Sequence, residues 1–240
     1  MFYYLLVILV VASYLVFEYP RLVYYYLRRH KISYEKRFVY ARKVSNRLLK
    51  LAGIKLDVQG LENVPTDQTV VFTPNHQSAL DILLLGVIPV NAAPIAKIEV
   101  LKLPFFSLLA QVGDTILLDR KDLKSSYQTI IDVKNRLESK KNIIVFLEGT
   151  RSKNPDHTLL EFKPGGLKPI YQSQATIVPV AMHGFFKVLS KNKKSYFVTV
   201  RIRFLKPLLF NDYNAINNID LAKNLQEIIN NNVQELIKKD

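Results

Sequence analysis

Residues 69–86 read TVVFTPNHQSALDILLLG. The β-branched and aromatic run from Thr69 to Phe72 predicts a buried strand, and Ala79 to Val87 predicts a short apolar helix. Between them lies a polar turn. Strand, turn and helix in that order form the repeating unit of a layered α/β fold, and the same alternation recurs along the chain. Further strands are predicted at 54–58, 93–95, 115–118, 143–147, 176–181 and 196–205, with helices at 105–112, 125–140, 166–172 and 221–238. The expected fold is therefore α/β, a layered sheet flanked by helices. No internal repeat is present, and the one biased tract is Asn-rich, from Asn211 to Asn232. A nucleotide-binding version of this fold is disfavoured, because no G-x-G-x-x-G or Walker sequence follows any predicted strand and the chain has only eight glycines.

Upstream of the first strand the composition changes. Met1 to Phe17 carry no charge, and as a helix these seventeen residues span about 26 Å, close to the roughly 30 Å of a bilayer's hydrocarbon core. Apolar character resumes at Leu22 to Leu27 after Glu18, Tyr19, Pro20 and Arg21, and Arg28, Arg29, His30 and Lys31 close the region. A secretory signal would place its cations before the apolar run, the reverse of this order. Three arrangements fit: a membrane-embedded helical hairpin bent at Pro20, a short single span, and a buried helix of a soluble protein. The seven tyrosines within residues 1–27 favour the membrane arrangements, because phenol rings settle where lipid meets water, and the hairpin is the preferred expectation.

Charge is concentrated beside this apolar segment. Between Arg21 and Lys55 stand eleven Lys or Arg and one acid, Glu35, so +10 of the chain's net +14 lies there. A helix is predicted from Tyr34 to Ala52, with Phe38, Ala41, Leu48, Leu49 and Ala52 on one side and Lys36, Lys43, Arg47 and Lys50 on the other. Cations next to an apolar anchor suit an anionic membrane surface, at about 1 kcal/mol per basic residue. The plainer alternative is an ordinary solvated helix face. A hydrophobic content of 49% excludes a disordered chain. The absence of cysteine excludes a disulfide scaffold, a thiolate zinc site, an iron–sulfur cluster and a cysteine nucleophile.

Two turns hold the residues able to carry chemistry. His76 and Asp81 are five apart, which on one continuous helix would separate them by about 140°. They can meet only if His76 precedes the helix, and Ser78 at the helix start with Asp81 three residues later has the form of a capping box. The alternative is that Asp81 merely caps. The second turn follows the strand 143–147 and contains Glu148, Gly149, Thr150 and Arg151, at the carboxyl end of a strand, where open α/β sheets bind ligands. Here the alternative is an exposed loop with a stray ion pair. Lys97 and Arg120 also follow apolar strands, and each taken alone reads as a solvated charge.

In order, these segments resemble the 1-acylglycerol-3-phosphate O-acyltransferase (lysophosphatidic acid acyltransferase) family of glycerophospholipid acyltransferases. The resemblance rests on N-H-x-S-x-x-D at Asn75 to Asp81 (the HX4D motif) and on a second block with a Lys, Gly113 and Asp119-Arg120. Phe146 to Ser152 (FLEGTRS) form the third block and Ile177 to Ala181 (IVPVA) the fourth, and together the blocks cover about residues 70–182. The third block departs from the family pattern at Leu147, where Pro is usual. The resemblance implies that His76 is the general base on the acceptor hydroxyl and that Asp81 orients it. It places Lys97, Arg120, Glu148, Gly149, Thr150 and Arg151 around the acceptor. It also implies lysophosphatidic acid as acceptor and acyl-CoA or acyl carrier protein as thioester co-substrate, with membrane lipids as partners and no metal, other cofactor or nucleic acid. On this basis residues 1–52 are expected to anchor the protein in the membrane, with residues 53–240 as the acyltransferase domain on the cytoplasmic side.

Competing readings remain at this stage. A relative of the same superfamily would use glycerol 3-phosphate or another lysophospholipid as acceptor. A non-catalytic basic membrane-surface or nucleic-acid module would act through charge alone, leaving His76, Asp81 and Glu148 without a role. A serine hydrolase would need a G-x-S-x-G elbow, which the sequence lacks.

Overall fold

The computed structural model describes residues 1–119, 122–152, 154, 157–192 and 194–239. Among the described residues seven strands form one sheet: β1 (Ile54–Gln59), β2 (Val70–Pro74), β3 (Ala92–Lys97), β4 (Ile116–Leu118), β5 (Asn142–Ile144), β6 (Thr176–His183) and β7 (Val198–Phe204). Their order across the sheet is β1-β7-β6-β2-β5-β3-β4. β6, β2, β5, β3 and β4 run parallel, while β7 is antiparallel to β6 and carries β1 parallel to itself. The α-helices are α1 (Phe2–Leu27), α2 (Tyr34–Leu51), α3 (Pro104–Val112), α4 (Leu123–Glu138), α5 (Lys168–Ser173), α6 (Phe185–Val188), α7 (Phe210–Tyr213) and α8 (Asn218–Ile237).

The pleat sends alternate strand residues to opposite faces, and each face has its own core. Val70, Phe72, Ile144 and Val178 pack under α1, α2, α3 and α6. Val71, Ile143, Val145 and Ile177 pack under α4, α5, α7 and α8. The segment expected as the anchoring unit, residues 1–52, therefore shares a core with the sheet: Val7, Leu22, Phe38, Val44 and Leu48 belong to the same cluster as Phe72.

The N-terminal pair of helices differs from the expected hairpin in the position of its turn. α1 runs unbroken through Pro20, and the chain reverses at Arg28–Ser33, where Ser33 caps α2 by accepting the Lys36 N–H. Proline removes one helical N–H and usually bends a helix. Here the residues flanking it are pinned: Leu22 is fully buried, and Glu18, only 4% exposed, accepts a 2.9 Å hydrogen bond from the Tyr40 hydroxyl of α2. Arg21 and Arg47 lie 3.5 and 3.9 Å from the same carboxylate, and Tyr25 stacks on Tyr40 with ring centres 4.0 Å apart. At 26 residues α1 is long and apolar enough to enter a membrane. Its outward side, including Phe2, Leu5, Leu9, Val16, Phe17 and Leu27, is exposed.

A separate ion-pair node ties α2 and α4 to the approach to β4. Asp114 sits in the left-handed region at φ 60° and faces two arginines, Arg136 at 3.0 Å and Arg37 at 3.5 Å. Arg37 also donates to the Val112 carbonyl. Asp114→Asn keeps a residue that tolerates this backbone but removes the charge, leaving two largely buried guanidinium groups without their counter-ion. The expected loss is about 1–3 kcal/mol by chemical denaturation in detergent, since the pair is only partly shielded from water. An unchanged midpoint would show that the node contributes no stability.

Candidate active site

Because β2, β5 and β3 are parallel, the turns that follow them emerge on one edge of the sheet. β2 ends at Pro74, and Asn75 locks the exit: its side-chain amide donates to the Met182 carbonyl at 3.0 Å and its oxygen accepts the Met182 N–H at 2.7 Å. An asparagine used this way replaces a missing strand neighbour on β6 and fixes where the next residue begins. That residue is His76, placed before the helix as the five-residue spacing requires.

The His76 Nδ1 lies 2.9 Å from Asp81 Oδ2. The same oxygen accepts the backbone N–H of Gln77 at 2.6 Å and of Ser78 at 2.8 Å. An oxygen that takes three donors is an acceptor only, so Nδ1 carries the proton and the lone pair sits on Nε2. Ser78 accepts the Leu80 N–H on its hydroxyl, completing the capping box. Asp81 thus caps and orients at once, and the two readings of the sequence prove to be one arrangement. The helix it opens, Ala79–Gly86, is a 3₁₀ helix rather than the expected α-helix. Its first turn is drawn tight by the Asp81 carboxylate reaching back to Gln77 and Ser78. Its far end, Gly86, meets α2 so closely that a Cβ there would stand 2.8 Å from Asn46 Oδ1.

The turn after β5 starts earlier than the apolar run suggested. The ladder continues to the Val145 N–H, bonded to the Phe72 carbonyl, and the chain then turns, with the Gly149 N–H donating to the Phe146 carbonyl and Gly149 at φ 69°. Leu147, where the family pattern has Pro, is buried against Gly166, whose missing side chain makes room for it, and its carbonyl accepts the Lys163 N–H. Glu148 is 2% exposed. Its Oε1 accepts the His76 N–H at 2.6 Å and its Oε2 the Leu160 N–H at 2.9 Å. The Ser152 N–H donates to the His76 carbonyl at 2.7 Å, and the Phe146 ring lies 4.4 Å from the imidazole. The roles of Asn75, Phe146, Ser152 and Leu160 were not read from the sequence. Asn75 and Phe146 at least carried a signal, being a polar and an aromatic residue at the two strand exits.

Thr150, Arg151 and Lys97 are exposed at this edge, Lys97 at the end of β3 and Arg151 just past the turn. Arg120 lies outside the described residues. The structure brings His76, Asp81 and Glu148 into direct contact through hydrogen bonds and leaves Lys97 and Arg151 as solvated cations on the same edge. Among the described residues, no three His, Asp or Glu side chains converge to hold a metal.

Both acids are held in unfavourable surroundings for charge. Burial pushes the Asp81 carboxyl up, against the pull of His76 and of the Ser78 and Gln77 N–H groups. Burial likewise pushes Glu148 from 4.5 up to about 7, with the N–H bonds from Leu160 and His76 opposing and the Asp81 charge reinforcing it.

A histidine oriented by a buried carboxylate at the exit of a central strand is an arrangement chemically able to take a proton from a hydroxyl or water. Residues 55–183 match the family described as Acyltransferase, more than half of the chain, and the chain belongs to that family. It is 32% identical over 162 residues to mouse 1-acyl-sn-glycerol-3-phosphate acyltransferase alpha, covering 66% of this chain and 56% of that one. It is 30% identical over 210 residues to the Mycoplasma genitalium protein named probable 1-acyl-sn-glycerol-3-phosphate acyltransferase, covering 81% and 76%. The chain thus spans about half the length of the mammalian relatives it matches. Its fold matches the crystal structure of the Thermotoga maritima 1-acyl-sn-glycerophosphate (LPA) acyltransferase PlsC, with TM-score 0.78 at 24% identity, over 98% of this chain and 95% of that one.

The raised Glu148 carboxyl has a thermodynamic consequence. A folded-state value above the unfolded one means the native state holds more protons between about pH 4.5 and 7, so the Glu148 contribution to stability falls as pH rises through that window. Glu148→Gln lacks the titration. The stability of the variant minus that of the wild type should therefore climb between about pH 4.5 and 7, by up to about 3 kcal/mol, and level off above. Denaturation curves of both proteins at several pH values test this; a difference that stays constant with pH would mean Glu148 titrates like a solvated carboxyl.

Proposed function

We propose that this protein transfers a fatty acyl group from an acyl thioester to the free hydroxyl of 1-acylglycerol 3-phosphate, making phosphatidic acid for phospholipid biosynthesis. The observation that carries the proposal is the His76–Asp81 pair, with Nε2 of His76 left as the proton acceptor, in a chain whose family relatives are named for this reaction.

In the proposed step, Nε2 takes the acceptor's hydroxyl proton as its oxygen attacks the thioester carbonyl carbon. The tetrahedral intermediate collapses with cleavage of the C–S bond, and the departing thiolate recovers the proton from Nε2. The protein ends unchanged, with an ester and a free thiol as products. Asp81 holds the tautomer and stabilises the imidazolium between the two proton transfers. The thioester, acyl-CoA or acyl carrier protein, is a co-substrate, and no other cofactor enters. Ser78 is poorly placed as a nucleophile, being buried with its hydroxyl engaged by the Leu80 N–H.

Arg151 and Lys97 supply exposed positive charge for the acceptor's phosphate on the edge that holds His76, and Arg120 joins them by the family resemblance. Gly149 and Thr150 shape the turn between Glu148 and Arg151. α1 and the basic face of α2 dock the protein on a bilayer from which both fatty substrates are drawn, and the cations at residues 28–31 favour the cytoplasmic side. The same site would serve glycerol 3-phosphate or another lysophospholipid, so the acceptor is settled by assay of purified protein against a panel of phosphorylated and non-phosphorylated acceptors with each thioester. A purely charge-driven membrane module has no use for two buried carboxylates aimed at one histidine.

His76→Ala should abolish transfer, and Asp81→Asn should leave a small residual rate. Recovery of an acyl group on Ser78 during turnover would contradict direct transfer. Arg151→Lys retains charge but loses the planar two-pronged donor, so it should raise the Michaelis constant for lysophosphatidic acid well above any change for the thioester, with Arg151→Ala worse. Monoacylglycerol, which offers no phosphate, should react equally poorly with wild type and variants. An equal proportional loss on both acceptors would remove Arg151 from the phosphate site.

A further inference from the structure

We infer that the segment Phe146–Ser152 is a splint for the catalytic base, in which Glu148 is a positioning residue for His76 rather than a ligand of the acceptor. The inference rests on His76 acting as base in the acyl transfer proposed above, and it changes the part the family resemblance gives to Glu148.

His76 is gripped by this one segment at three points. Its N–H donates to Glu148 Oε1 at 2.6 Å, its carbonyl accepts the Ser152 N–H at 2.7 Å, and its ring lies against Phe146 at 4.4 Å. With both ends of its peptide fixed by β5's turn and Nδ1 fixed by Asp81, the imidazole has its backbone and its ring plane held from two directions. That precision is needed because the residue lies in a loop, between the end of β2 and the cap at Ser78, where no regular ladder or helix bond would hold it. An offset of about 1 Å between a base and its proton is enough to cost roughly a hundredfold in rate.

Glu148 is ill suited to the acceptor. A carboxylate has further lone pairs to offer, but this one is 2% exposed and each oxygen already faces a backbone donor. Its second oxygen extends the splint to Leu160, so the loop returning from the turn is fastened to the same carboxylate. Arg151, three residues on, is exposed and cationic, and is the group of this segment suited to the acceptor's phosphate. The segment thus divides its work: the buried acid holds the base and the exposed arginine meets the substrate.

The test uses the full-length protein in detergent, with Glu148→Gln and Phe146→Leu. The Gln side chain keeps one carbonyl oxygen and sets an NH₂ against the other backbone donor. Hydrogen–deuterium exchange resolved to single residues should show the His76 or Leu160 amide exchanging roughly tenfold faster in Glu148→Gln, the equivalent of one lost charge-assisted hydrogen bond. Kinetically, kcat should fall about a hundredfold with the Michaelis constants of both substrates near wild type, and in equal proportion for phosphorylated and non-phosphorylated acceptors. Phe146 is only half-buried, so Phe146→Leu leaves the fold intact and should give the same signature of lower kcat at unchanged Michaelis constants. Unchanged exchange at both amides, or a raised acceptor Michaelis constant with kcat retained, would overturn the splint. A wild type that acylates no acceptor would sink the acyl-transfer reading instead, and the exchange measurement would still decide whether Glu148 holds His76.

Discussion

One oxygen atom, Asp81 Oδ2, organises the functional end of the molecule. It gathers the imidazole Nδ1–H and the N–H groups of Gln77 and Ser78, so a single acceptor starts a helix, closes a turn and selects a tautomer. Removing this oxygen would leave three donors without a partner in a buried place, which is costlier than the absence of any one bond. Burial penalises the carboxylate and the three donors offset only part of that penalty. The loop is therefore held in an arrangement that commits Nδ1 of His76 to Asp81 and leaves Nε2 free of that carboxylate.

The sheet was legible because buried parallel strands are continuous apolar runs, and VVF, IIV and IVPV can hardly be anything else. Their limits were less so. The run Ile143 to Leu147 reads as strand throughout, but the strand ends at Ile144 and its last ladder bond is the Val145 N–H, because Gly149 closes a turn onto Phe146. Pro20 looked like a bend, and the burial of Leu22 in the core together with the Glu18–Tyr40 bond to α2 overrides it. The 3₁₀ winding of residues 79–86 was hidden because its cause is a side chain pulling on backbone, and period alone does not separate short helices. The pairing of His76 with Asp81 was readable from spacing and capping pattern. The partners of Glu148 were not: they are backbone N–H groups 72 and 12 residues away, and any residue but proline presents one.

Charge at the site is sorted by depth. The acids Asp81 and Glu148 are inside and the cations Lys97 and Arg151 are outside. Of the two acids only Asp81 meets the imidazole itself, Glu148 holding the backbone N–H of the same residue, while the cations stand where an anion arriving from solvent would find them under the proposed function. The abundance of Lys and Arg near the N-terminus is a separate matter, since that charge lies on α2 and the α1–α2 turn, with its own buried acid in Glu18.

That acid settles how α1 is joined to the rest of the fold. A helix joined to its domain by a loose linker would let the catalytic edge wander over a wide range of heights and tilts above the lipid. Glu18 instead bolts the middle of α1 to Tyr40 of a helix that is itself part of the core. The anchor and the sheet must then move as one rigid piece. Under the proposed function, the height at which α1 settles in a membrane would fix the height of His76, and a fatty chain would meet the base at a constant depth, like a workpiece clamped at the level of the tool.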